Sequence, residues 1–206
     1  VYISNFGCGP DSFLLHSARE IMGEKPCLFL ELDSHEADAG IMTRVSAFLD
    51  VVAGFRRLAK PPPRKRAFEP AKVFARKNKL WLTTSAGETL PLTHPRVTFA
   101  FPSMGRYNTE ALAAVARRFG FNGLALPPAD ERALNLGREF TNGKECVPAV
   151  LTIGQLMDYH QNRFQRSRPD EALVLFMPTA AGPCRFGQYN VYMRQLIREL
   201  ELRDVA

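Results

Sequence analysis

The chain of 206 residues lacks several familiar signals. No apolar run approaches the roughly 18 residues of a membrane helix. The longest candidates, Cys27–Leu32 and Ala172–Pro178, read as buried strands. Four cysteines are too few for a disulfide framework, and no Cys-x-x-Cys occurs, which excludes a zinc ribbon and a thioredoxin-type site. The usual ferredoxin runs, a Gly-x-Ser-x-Gly elbow and a dinucleotide glycine fingerprint are also missing. Gly137–Glu145 comes nearest to a phosphate loop, but five residues separate its glycines instead of four. Glu145 also stands where a magnesium-binding Ser or Thr is needed. No secretory leader opens the chain, so the expected compartment is the cytoplasm. Val1 is not a Met and the first strand is already under way, so the expectation is a segment of a longer protein.

Apolar residues make up 46% of the chain, enough to bury a core, and the net charge is +6. That charge is localised. Ten Lys and Arg lie between Arg56 and Lys79 against the single acid Glu69, so this stretch carries +9 and the remainder sums to −3. The same stretch holds Pro61, Pro62, Pro63 and Pro70. A solvated basic connector is the reading, the alternative being a polyanion-binding patch, with no aromatic platform among the charges and no nucleic-acid or membrane partner expected.

Strand and helix patterns alternate elsewhere. Val1–Ser4 reads as a strand, Asp11–Met22 as a helix stopped by Gly23, and Cys27–Leu32 as a strand. Ala39–Phe55 reads as an amphipathic helix with Ile41, Val45, Phe48, Leu49 and Val52 on one face. Lys79–Thr83 and Glu88–Leu92 flank Ser85-Ala86-Gly87 as a hairpin. Strands follow at Val97–Phe101, Gly123–Leu126 and Ala172–Met177. Helices follow at Thr109–Phe119, Asp130–Leu136, about Cys146–Phe164, and Gln188–Leu200. The predicted class is α/β, with two Rossmann-like parallel-sheet units joined by the Pro-rich basic connector. The units are an N-terminal β-α-β-α unit over 1–56, the connector with its hairpin over 57–95, and a larger α/β unit over 96–206.

Three cysteines lie in glycine turns: Cys8 in Gly7-Cys8-Gly9-Pro10, Cys146 in Gly143-Lys144-Glu145-Cys146, and Cys184 in Gly182-Pro183-Cys184-Arg185. Each stands at or near a helix start, where free N–H groups and the helix dipole favour a thiolate. Thiolates, N–H donors and close backbone approach are what an iron–sulfur cluster requires. From chemistry alone, the alternative is incidental turn cysteines. Cys27 begins an apolar run and reads as a core thiol. Asp33-Ser34-His35-Glu36-Ala37-Asp38 reads as a helix cap with a hydrogen-bond network, the alternative being a metal or proton-transfer site. His16 reads as a helix-face residue, and His94 and His160 as surface positions.

Four segments in order carry a resemblance: Tyr2–Phe13, Glu31–Gly40, Gly143–Cys146 and Phe176–Asn190. Together they resemble the 2-hydroxyacyl-CoA dehydratase and CoA-substrate-specific activase-related family, which includes the double-cubane-cluster proteins. The resemblance implies an iron–sulfur cofactor, either 4Fe–4S or a double cubane, with Cys8, Cys146 and Cys184 as ligands. Lys144, Arg185 and Gln188 then either donate hydrogen bonds to the cluster or cap turns. It implies an ATP-dependent activator protein, or fused activator domains, as partner, and it allows an acyl-CoA substrate and a dimer. The function expected is the cluster-binding part of an ATP-dependent low-potential reductase or dehydratase system, not active alone. The alternative is a non-catalytic electron-relay or assembly module that docks with an ATPase activator. A metal-free α/β nucleotide or CoA binder leaves the cysteine placement unexplained.

Overall fold

In a computed structural model, residues 1–4, 11–32, 38–57, 68–162, 170–182 and 184–206 are described. The chain divides into two units, residues 1–65 with 181–185 and residues 66–180 with 186–206. Mixed α/β architecture with parallel sheets is present, as the alternating pattern predicts.

The first unit holds strand β1 (Tyr2–Ser4), helix α1 (Asp11–Met22), strand β2 (Phe29–Glu31) and helix α2 (Asp38–Arg57). β1 and β2 pair in parallel, Tyr2 opposite Phe29 and Ser4 opposite Glu31. α1 buries Ser12, Phe13 and Leu15. α2 buries no residue fully. Ile41, Val45, Phe48, Val52 and Phe55 form its half-buried stripe. Leu49, expected on that face, is 61% exposed. At 100° per residue it lies about 80° from Ile41, at the edge of the stripe rather than within it.

The second unit opens with β3 (Lys72–Arg76), β4 (Lys79–Thr83) and β5 (Thr89–Pro91), an antiparallel sheet in the order β3-β4-β5. The β4–β5 hairpin agrees with the sequence pattern, but β3 corrects it. The second half of the stretch read as a connector is a strand, turned back through Lys77 and Asn78 at positive φ. The basic stretch is therefore in part a folded face. Phe74 opposes Trp81 and Arg76 opposes Lys79 across the strands, so aromatics and cations share the outer side of this sheet. Alternation puts Val73, Leu82 and Leu90 on the other side, where Leu82 is fully buried. Residues 58–67, which hold Pro61–Pro63 and Arg64–Arg66, lie outside the described residues.

Strand β6 (Val97–Phe101) is central in a parallel sheet of order β7-β6-β8, flanked by β7 (Asn122–Ala125) and β8 (Ala172–Leu175). Its near-continuous apolar sequence is what a strand covered on both faces needs. On one face Phe99 and Phe101 pack with each other and with Phe176, ring centroids 4.8–6.0 Å apart. Ala71, Leu82, Leu90, Leu92, Val97, Ala172 and Val174 form the core cluster shared with the antiparallel sheet. At the amino edge of the parallel sheet, the buried Glu171 carboxylate accepts from Thr98 Oγ1 and from the Tyr159 hydroxyl at 3.0 Å. Asn122 Nδ2 donates to Thr98 Oγ1 at 3.1 Å, so all three strands are tied at that end. The outer edge of β8 is paired by the chain end, through Leu173 N–H to Asp204 C=O and Leu175 N–H to Ala206 C=O.

The helices of this unit are α3 (Arg106–Arg118), α4 (Glu131–Glu139), α5 (Val147–Asn162) and α6 (Tyr189–Glu199), the last preceded by a 3-10 turn at Arg185–Gln188. Asp130 caps α4 by accepting from Ala133 N–H at 2.9 Å. α5 is apolar on most sides and buries eight residues. α6 buries Tyr189, Tyr192, Met193, Leu196 and Ile197, the three- and four-residue spacing of one helix face.

Candidate functional site

The turn from Phe140 to Cys146 joins α4 to α5 and is built around one carboxylate. Glu145 is buried, and its oxygens accept from Asn142 N–H at 3.0 Å, Asn142 Nδ2 at 3.3 Å and Lys144 N–H at 3.1 Å. Gly143 between them has φ +78, a conformation that side chains rarely adopt. The near-phosphate-loop sequence is therefore a carboxylate-centred turn, with Glu145 turned inward to accept backbone N–H groups.

Cys146 directly precedes α5, and its carbonyl accepts from Ala149 and Val150. Pro148 falls in the first helical turn, where a missing N–H removes no helical bond. Cys146 is half-buried, and its Sγ lies 2.7 Å from the Tyr189 hydroxyl. Tyr189 is the first residue of α6, so a side chain from the start of that helix reaches the sulfur at the start of α5. One turn further along α6, the Tyr192 hydroxyl donates to Phe140 C=O at 2.9 Å. Two phenols from one helix face thus hold both ends of the turn. Burial, and then the charges of Glu145 and Glu199, hold the Tyr192 phenol above its ordinary range.

Cys184 is exposed and belongs to the first unit. Its neighbour Arg185 donates from Nη1 to Ser12 Oγ at 3.2 Å, and Ser12 is fully buried in the first turn of α1. That contact ties the Cys184 turn to the start of α1, four residues on from Cys8 in the sequence. Cys8 itself lies outside the described residues, as does the Asp33–Ala37 part of the polar segment.

No comparison finds a relative: no family, no curated protein and no solved structure matches this chain.

The sequence-derived residues therefore have these places. Cys146, Lys144 and Gln188 belong to the second unit, Lys144 contributing its backbone N–H to the Glu145 turn. Gln188 occupies the cap position of α6, yet its side chain makes no capping bond. Arg185 anchors its turn to α1. Cys27 is half-buried and precedes β2 rather than opening it, its Sγ facing Leu28 C=O at 4.0 Å. His94 and His160, read as surface positions, are half-buried. Tyr189, Tyr192 and Glu145 acquire importance only in the structure. Their one sequence signal is that Tyr189 and Tyr192 share the buried face of the last helix.

Among the described residues no group of three or more His, Cys, Asp and Glu is gathered as for a metal ion. Two of the three turn cysteines are described, both free thiols, Cys146 half-buried and Cys184 exposed. Cys146 offers a soft sulfur at a helix start, with a hydroxyl in hydrogen-bond contact, as iron–sulfur thiolates are commonly supported. A cleft of about 830 Å³ borders β8 and α6, lined by Phe99, Val174, Phe176, Met193 and Ile197, but neither Cys146 nor Cys184 lines it.

Proposed function

We propose that this chain is the iron–sulfur-cluster-binding part of an ATP-dependent low-potential reductase or dehydratase system, related to the 2-hydroxyacyl-CoA dehydratases and their activases. The observation that carries this reading is the Cys146 sulfur at the start of α5, in contact with the Tyr189 hydroxyl at the start of α6. A thiol so placed has one helix start and a hydroxyl beside it, which suits a metal ligand. The proposed ligands are Cys8, Cys146 and Cys184. Such a cluster, when bound, accepts and passes single electrons at low potential. The Lys144 N–H and the Arg185 side chain hold the ligand turns, the positive charges of Lys144 and Arg185 offset cluster charge, and Gln188 is the further candidate donor to the cluster. An activator with ATP, separate or fused, supplies the electron, and an acyl-CoA is the substrate class.

Anaerobic reconstitution with iron and sulfide, read by iron count and visible absorption, tests the reading. Wild-type chain takes up iron. Cys8→Ala, Cys146→Ala and Cys184→Ala each lose it, whereas Cys27→Ala retains the wild-type content. Iron loss in Cys27→Ala equal to that in Cys146→Ala would show the ligands to be misassigned. With a chemical reductant and candidate acyl-CoA substrates, the reconstituted chain shows no sustained turnover until activator and ATP are added. Multiple turnovers without them overturn the dependence on an activator.

A further inference from the structure

The cleft of about 830 Å³ beside β8 and α6 is separate from the cysteine turns, since neither Cys146 nor Cys184 lines it. We propose that it binds an amphipathic organic anion, with an apolar body, an anionic oxygen group at one end and a hydroxyl or N–H donor at the other. This goes beyond the cluster reading and does not depend on it.

Every lining residue belongs to the second unit. The volume falls in the range of small-molecule sites, about 300–1,000 Å³. The walls divide chemically. Phe99, Val174 and Phe176 supply an apolar wall from the parallel sheet and its continuation, and Met193 and Ile197, one turn apart, supply another from α6. The Phe99 and Phe176 rings meet edge-on at 6.0 Å, yet both side chains are only half-buried. Apolar surface left open inside a concave wall favours an apolar occupant that takes it out of water.

The polar wall is a single row. Asn190, Arg194 and Arg198 follow at four-residue spacing along α6, and all three line the cleft. The row rises about 12 Å from end to end. Arg96 and Arg132 of the same unit have carboxylate partners, but among the described residues Arg194 and Arg198 have none. The one acidic side chain described on the wall, Glu69, is tied to Lys72 at 2.7 Å. Two uncompensated cations therefore face the cleft from one helix, which is the complement of a carboxylate or a phosphate. At the opposite end of the row, Asn190 Oδ1 is buried with no hydrogen-bond partner. A buried acceptor in this position is satisfied by a donor on the occupant.

Calorimetric titration of the full chain with ω-hydroxydecanoate, decanoate, decyl phosphate and decanediol, each below its micelle concentration, tests the site. Wild type is expected to bind one ω-hydroxydecanoate per chain, about tenfold tighter than decanediol, which lacks the anion. Decanoate, which lacks the donor, binds more weakly than ω-hydroxydecanoate. Saturable binding of decanoate or of decyl phosphate supports the site, and the tighter of the two identifies the anionic group. Replacing both Arg194→Gln and Arg198→Gln weakens ω-hydroxydecanoate about tenfold, more at low salt than at high, and leaves decanediol unchanged. Both positions are exposed, so the fold is retained, as native near-ultraviolet circular dichroism checks. Asn190→Leu removes the preference for ω-hydroxydecanoate over decanoate. No saturable binding of any of the anions by wild type overturns the proposal. Equal affinity for ω-hydroxydecanoate and decanediol does so too, as does wild-type affinity in the doubly substituted chain. Equal affinity of wild type for ω-hydroxydecanoate and decanoate overturns the donor at Asn190.

Discussion

Glu145 shows how much a single buried carboxylate can organise. Its oxygens take two backbone N–H groups and a side-chain amide, and these bonds shape the turn that presents Cys146. The same charge reaches Tyr192, whose phenol is already penalised by burial for ionising. With the folded-state pKa raised above the unfolded value of 10.0, the fold prefers the neutral phenol. This contribution to stability is fully present below pH 10 and is lost as pH rises beyond it, because the unfolded chain ionises first. Urea midpoints measured from about pH 9 to 12 are expected to fall for wild type. The Tyr192→Phe variant should be less stable at neutral pH, because Phe140 C=O loses its donor, by about 0.5–1.5 kcal/mol. Its alkaline decline should be shallower. Parallel pH profiles for the two proteins would remove Tyr192 as the titrating group.

Among the elements, the α4–α5 pair is the most tightly fitted. A Cβ at Gly154 would lie 1.7 Å from Ala133 C=O, and one at Gly137 would lie 2.0 Å from Val150 C=O. The two helices approach through backbone rather than through side chains, which fixes the turn between them and so the placement of Cys146. Gly154→Ala cannot be absorbed by a rotamer change, because the opposing atom is a backbone oxygen. It is expected to cost at least about 1–3 kcal/mol, read as a lower chemical-denaturation midpoint with an unchanged slope. Gly143→Ala makes a useful contrast, since its Cβ meets nothing within 4 Å and the cost there is conformational, from φ +78. The antiparallel sheet shows another kind of fit. β3 is an edge strand with every residue exposed, and Lys72 and Arg76 stand on it. Cations on an exposed edge discourage pairing with another chain, which accounts for part of the basic stretch without a polyanion partner.

For the whole molecule, the boundary between the units falls in places the sequence pattern does not mark. The β3–β4 hairpin belongs to the second unit, and the Cys184 turn, between β8 and α6 in the chain, belongs to the first. Among the described residues, the core clusters around Leu82, Val97 and Phe101 draw on residues of the second unit. Residues 66–206 expressed alone are therefore expected to fold with a cooperative unfolding transition and native near-ultraviolet circular dichroism. On the proposed function the same piece, lacking Cys8, takes up less iron than the full chain. A piece without a cooperative transition would show that the second unit depends on the first. No helix among the described residues is long and apolar enough to cross a membrane, in line with the absence of long apolar runs.

The amino-acid sequence by itself determined the elements whose signals are local. Asp11–Met22 is a helix at the predicted bounds and Val97–Phe101 a strand at the predicted bounds, because hydrophobic period and the stop at Gly23 act over a few residues. It also marked Cys146 as a residue in a glycine turn at a helix start. Three other matters were decided by tertiary structure. Strand β3 was hidden under its charge, because an exposed edge strand tolerates Lys and Arg at positions where a buried strand needs apolar side chains. Glu145 stood out in the sequence only as the residue in place of a phosphate loop's Ser or Thr, and its burial follows from N–H groups that the folded turn brings within reach. The partnership of Cys146 with Tyr189 spans 43 residues, and only the packing of α6 against the α4–α5 turn brings that hydroxyl to that sulfur. Local propensity sets where helices and strands begin, but a hydrogen bond between distant side chains exists only when the core that buries both has formed.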